Sequence, residues 1–128
     1  MINANNRPQI QVPIAGAASK KYPVLHAHKK MIVRAAKFMT VGAIAASGSA
    51  YSSQKLQKST GSGVAPADIS GNVAVDTQAG VAAYGQLALD VTPEIVLEKG
   101  ETLYLDHALT GSLTLDGWLS LDVEIVGN

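Results

Sequence analysis

The chain has no cysteine, and that absence excludes disulfide frameworks, zinc fingers, iron–sulfur sites and thiol nucleophiles together. Stability has to come from packing. Aromatic side chains are scarce as well: one Trp, one Phe and four Tyr among 128 residues, against 19 Ala and 12 Gly. Small side chains bury little area, at about 25 cal/mol per Å², so a lean core relieved by assembly into a homo-oligomer is expected. No apolar run approaches the roughly 18 to 20 residues of a membrane span. The longest, Phe38 to Ala46, is broken by Thr40 and Gly42. The opening residues, Met1-Ile2-Asn3-Ala4-Asn5-Asn6-Arg7-Pro8, lack the apolar core of a signal peptide, so a protein made and used without export or membrane contact is expected.

Acid is also absent from the first half. Nine of the ten Lys/Arg lie at or before Lys58, and all ten Asp/Glu lie from Asp68 onward, although the formal net charge is zero. With 47% hydrophobic and 16% charged residues, the chain has too much apolar material and too little charge for disorder. Its length fits one domain.

Residues 1–21 show no amphipathic period beyond the short alternation Gln9-Ile10-Gln11-Val12, between Pro8 and Pro13, which favour extended backbone. They read as an extended N-terminal arm. From Tyr22 onward, short alternating segments are separated by Gly, Ser, Asp and Pro. Met31 to Val41 carries apolar residues on both parities, Ile32, Ala36 and Phe38 on one and Met31, Val33, Met39 and Val41 on the other. Tyr51 to Lys58 reads as a polar edge strand guarded by lysines, and Ser59 to Pro66 as a flexible loop. Asp116-Gly117 is a two-residue hairpin signal. After it, Leu119, Leu121, Val123 and Ile125 face one way and Ser120, Asp122 and Glu124 the other. The expectation is an all-β antiparallel sandwich or jelly roll of about eight strands over residues 22–128, with Phe38, Trp118, Leu119, Leu121, Val123 and Ile125 in its core.

The stretch Ile95 to Val126, a short apolar strand, a Lys-Gly-Glu turn, an alternating strand, a Gly-bounded gap and a long alternating strand, resembles the closing strands of compact jelly rolls. Met31 to Val41 and Tyr51 to Lys58 are similar to the opening half of jelly-roll decoration, cement and head-fibre proteins of tailed bacteriophages. The resemblance spans about residues 22–126 and is one of texture, without a diagnostic motif. It implies a non-enzymatic virion protein on the capsid exterior, bound to the major capsid protein and trimeric. Arg7, Gln9, Ile10, Val12, Lys20 and Lys21 are then expected to make the partner contact. The same pattern occurs in receptor-binding and fibre modules, which would bind a host surface glycan or protein through loops such as Ser59 to Pro66 or Ala108 to Ser112.

Candidate chemistry is thin. His26 and His28 lie at i and i+2, on one face of a strand and within reach of one metal ion, and resemble the His-x-His of cupin metalloenzymes. The carboxylate that the cupin pattern places a few residues later is missing, however, since the first acid is Asp68, and Lys29 and Lys30 would repel a cation. Asp106 and His107 are adjacent on a strand, so they point to opposite faces and cannot act as orienter and base of a hydrolytic triad. The basic cluster Lys20, Lys21, Lys29, Lys30, Arg34 and Lys37 raises nucleic acid, but aromatics are not interleaved with it and the acidic half would repel phosphate. An acidic protein surface is the simpler partner. Trp118 and Tyr104 read as packing anchors before they read as a sugar-stacking platform. No enzyme activity, metal, cofactor or nucleic-acid partner is therefore expected.

Overall fold

A straight strand buries one parity, so the two-sided apolar pattern of Met31 to Thr40 needs a break in register. The computed structural model, which describes residues 8–15, 19–69, 72–91, 94–111, 113 and 115–126, contains that break. Ten strands follow in order: β1 (Gln9–Ile14), β2 (Lys20–His26), β3 (Met31–Thr40), β4 (Tyr51–Ser59), β5 (Ala67–Asp68), β6 (Val75–Asp76), β7 (Gln86–Ala88), β8 (Ile95–Leu97), β9 (Thr102–Thr110) and β10 (Gly117–Ile125). Asp122 and Val123 of β10 pair with Ala35 and Val33 of β3, which leaves Arg34 as an extra residue in a bulge. Inward positions change at that point from Met31 and Val33 to Ala36, Phe38 and Thr40, so both parities reach the core.

Two antiparallel sheets pack into a β-sandwich. The first runs β1-β10-β3, and β7 and β8 both pair with the far side of β3. The second runs β2-β9-β4, and β5 and β6 both pair with the far side of β4. Ten strands stand where about eight were expected because one edge of each sheet is made of two short pieces instead of one strand. The opposite edges, β1 and β2, carry Pro13 and Pro23, which cannot donate to a ladder and suit an edge.

Phe38, Leu119, Leu121 and Val123 are fully buried and Ile125 is half-buried against the core. Trp118 is not a core residue: it is 44% exposed. The alternation that turns Leu119 inward turns Trp118 outward, and Gly117 fills the inward position before it. Gly117 is also not a turn residue but the first residue of β10, paired with Ile14 and Thr40. It is glycine because a Cβ there would stand 2.3 Å from the Met39 carbonyl oxygen and 2.6 Å from the Phe38 ring.

Three further expectations change. Tyr51 to Lys58 lies within β4, which is internal, between β9 and the β5 and β6 pair. The expected boundary after Lys21 falls inside β2, and Gln9 to Ile14 is not a free arm but a sheet strand that sends Ile14 into the core. The loop after β4 is anchored, because Ser59 Oγ lies 2.9 Å from the Gly61 carbonyl oxygen and 2.7 Å from that of Val64.

Replacement Gly117→Ala is expected to destabilise the fold by about 1 to 3 kcal/mol through overpacking, measured as a lower urea midpoint at unchanged slope. An unchanged midpoint would mean that β10 moves aside without cost.

Candidate functional site

The first-half bases and second-half acids meet because β2 and β4 both pair with β9, and β3 pairs with β10. Arg34, thrown outward at the bulge, binds Glu124 at 2.6 Å and also Glu94. Lys55 lies 2.8 Å from Asp68, Lys58 3.3 Å from Glu101 and Lys30 3.7 Å from Glu98. The Lys55 ammonium, with the Gln57 amide, holds the Asp68 carboxyl below the usual carboxylate range. Much of the segregated charge is thus neutralised inside the molecule, and an exposed pair such as Lys30 with Glu98 contributes little individually.

Lys20, Lys21 and Lys29 form no ion pair with a described residue. They lie on and just after the edge strand β2, and all three are exposed. Lys20 stands 5.2 Å from the centre of the Tyr22 ring. Of the expected partner-contact set, Gln9 is also exposed, Ile10 and Val12 are half-buried against the core, and Arg7 lies outside the described residues. The set is therefore divided: Lys20 and Lys21 remain on the surface at one sheet edge, while Ile10 and Val12 serve the other sheet.

The structure brings His26 and His28 together, with ring centres 5.0 Å apart, and His26 Nδ1 lies 2.8 Å from Thr102 Oγ1. Both rings are exposed, and no group of three or more potential ligands is present among the described residues. Asp106 and His107 point to opposite faces of β9, as adjacent strand residues must, so the imidazole has no carboxylate orienter. Trp118 and Tyr104 are on the outward faces of different sheets and form no common platform.

Sequence reasoning missed the polar interior. His107 is fully buried, its ring stacked on Phe38 at 5.9 Å and edge-on to Tyr22 at 6.0 Å. Its Nδ1 lies 3.0 Å from Gln54 Oε1 and 2.8 Å from Gln54 Nε2. Nε2 has no partner among the described residues. A bare lone pair is cheaper to bury than an orphaned N–H, so the favoured arrangement is Nδ1–H donating to Oε1 with Nε2 unprotonated. The available signal was the i, i+2 pattern of Ser52, Gln54 and Leu56, whose polar members face inward.

Burial pushes the His107 pKa down, with Asp106 and Asp116 partly opposing it. Above the ordinary value of 6.5 the imidazole is neutral in both folded and unfolded chains and adds no pH dependence. Below it the unfolded chain takes up a proton that the folded core resists, so stability falls as pH falls, by at most about 1.4 kcal/mol per unit. Thermal midpoints between pH 7.5 and 5 should decline in the native chain. In His107→Gln, whatever its absolute stability, that component of the decline should vanish; identical slopes would show that His107 does not contribute.

Comparisons with family models, curated proteins and solved structures return no match.

Proposed function

We propose that this chain is a non-enzymatic structural virion protein, a jelly-roll module that decorates and stabilises a lattice of a major capsid protein. The observation that carries the reading is the strand order. If β5 with β6, and β7 with β8, each count as one edge position, the sheets read β1, β10, β3, β7/β8 and β2, β9, β4, β5/β6. That wrapping, in which early strands pair with late ones in both sheets, suits the double Greek key of a jelly roll. The exposed bases Lys20, Lys21 and Lys29 at the β2 edge supply the partner contact in this reading, directed at an acidic surface on the shell. Modest contacts suffice, since many copies on one lattice, each as a trimer, add by avidity.

Deleting residues 1–21 is a poor test, because it removes β1 and the buried Ile14 and so attacks the sandwich itself. Charge reversal at exposed positions is cleaner. The native chain should co-sediment with empty shells of the major capsid protein encoded beside its own gene. Binding should weaken as salt rises from about 0.05 to 0.5 M, since screening shortens the reach of exposed charges. The double variant Lys20→Glu, Lys21→Glu should keep its β circular dichroism and lose co-sedimentation. Failure of the native chain to bind, or equal binding by the double variant, would overturn this assignment of the partner surface.

A further inference from the structure

The outward face of the first sheet differs from that of the second. Across the second sheet, Lys21, Asp106 and Lys55 stand in one row, and Lys55 continues to Asp68. Across the first, the corresponding row is Pro13, Trp118, Met39 and Gln86. The next row is Gln11, Ser120, Lys37 and Ala88, and beyond it Gln9, Asp122 and Ala35. Small side chains in the middle of this face leave a depression of about 220 Å³, lined by Gln9, Ala35, Ala36, Lys37, Ser120 and Asp122.

Trp118 is two residues from Ser120 on the same face, about 7 Å along the strand. A second aromatic stands at that end of the sheet. Tyr84 donates its backbone N–H to the Val41 carbonyl oxygen at 3.1 Å and is 81% exposed. Its φ of 58° is a left-handed conformation that a bulky residue adopts at a cost. Of the six aromatic residues in the chain, Trp118 and Tyr84 are the exposed ones. Both lie at one end of one sheet, and Trp118 shares its outward face with the depression.

We infer that the outward face of the first sheet is a saccharide-binding site, with Trp118 as the stacking platform, the depression between β1, β10 and β3 as the seat for an adjacent sugar ring, and Tyr84 at the end of the sheet as a further contact. A pyranose has an apolar C–H face and a rim of hydroxyls, so it needs a flat aromatic surface beside mixed donors and acceptors. Gln9, Lys37, Ser120 and Asp122 supply both kinds. This inference goes beyond capsid decoration and uses different residues from the β2 edge, so either can fail alone.

Trp118 is the only tryptophan, and its fluorescence reports on this face directly. Cellohexaose, maltohexaose and chitohexaose are titrated in turn into the full chain. At least one should shift the emission to shorter wavelength with saturation and lower acrylamide quenching. By calorimetry, Trp118→Ala should bind that sugar at least about tenfold more weakly, the scale of a lost aromatic contact, while Lys37→Ala and Tyr84→Ala should weaken it in the same direction. No response to any of the three sugars, or unchanged affinity in Trp118→Ala, overturns the inference. An emission shift that follows protein concentration alone also overturns it and makes the face a contact between copies of the chain.

Discussion

The pairing of strands from the first half of the chain with strands from the second half is the constraint on which the rest of the structure depends. β3 lies against β10 and β4 against β9, and these long ladders form the centres of the two sheets. Neither half can bury its apolar face without the other. The charge distribution follows the same logic: acids and bases separated along the sequence become neighbours across the ladders and at their ends. Arg34 with Glu124 and Glu94, Lys55 with Asp68, Lys58 with Glu101, and Lys30 with Glu98 all join one half to the other. An exposed pair such as Lys30 with Glu98 is weak, but the separation has a consequence before folding. A strand of like charge is repelled by its own half and attracted to the other, which disfavours incorrect pairings. Part of the segregation that first suggests a charged partner is therefore already used inside the fold.

The interior shows how a core poor in aromatics is completed. Phe38 is the only phenylalanine, and the sheets close around it with Leu119, Leu121, Leu103 and Leu105, all fully buried. The remaining space is filled by His107 and Gln54 rather than by a second large apolar group. A buried imidazole is tolerated when it is neutral and hydrogen-bonded on one side. The pair also couples β9 to β4, and the ring stacking couples β9 to β3 of the other sheet. A polar group in such a place disfavours slippage, because any shift of register by one residue would turn Gln54 away from His107.

Much of this was legible in the sequence where a single rule applied. The alternation from Leu119 to Ile125 gave the inward face of β10, and the succession of short alternating segments separated by Gly, Ser, Asp and Pro gave the all-β class. The same alternation also decides Trp118, since a residue next to an inward leucine faces outward; size alone suggested core. The two-sided pattern of β3 was visible but not its cause, because the bulge at Arg34 depends on a partner strand about ninety residues away in the chain. β4 misled for a related reason. Its lysines and serines describe an edge only if the partner strands are unknown, and those partners, β9, β5 and β6, all come later in the chain. Gly117 carried a local hairpin signal, yet its requirement is tertiary, the close approach of β10 to Phe38 and Met39.

A sandwich whose strands satisfy one another leaves its outer faces and edges for recognition. The outward face of the second sheet carries a row of alternating charge, Lys21, Asp106, Lys55 and Asp68, whose inner members satisfy one another and leave Lys21 at the edge. The β2 edge is different, since Lys20 and Lys29 carry charge without an ionic partner among the described residues and Pro23 interrupts the edge's backbone donors. Such an edge suits electrostatic contact and resists strand addition. The outward face of the first sheet is different again, with small residues beside exposed aromatics where charged residues would serve solubility better. Trp118 leaves 44% of its surface exposed, and holding Tyr84 in a left-handed turn costs conformational energy. Two departures from what folding alone favours, placed at the same end of one sheet, are more economically explained by one binding function than by two separate accidents of packing.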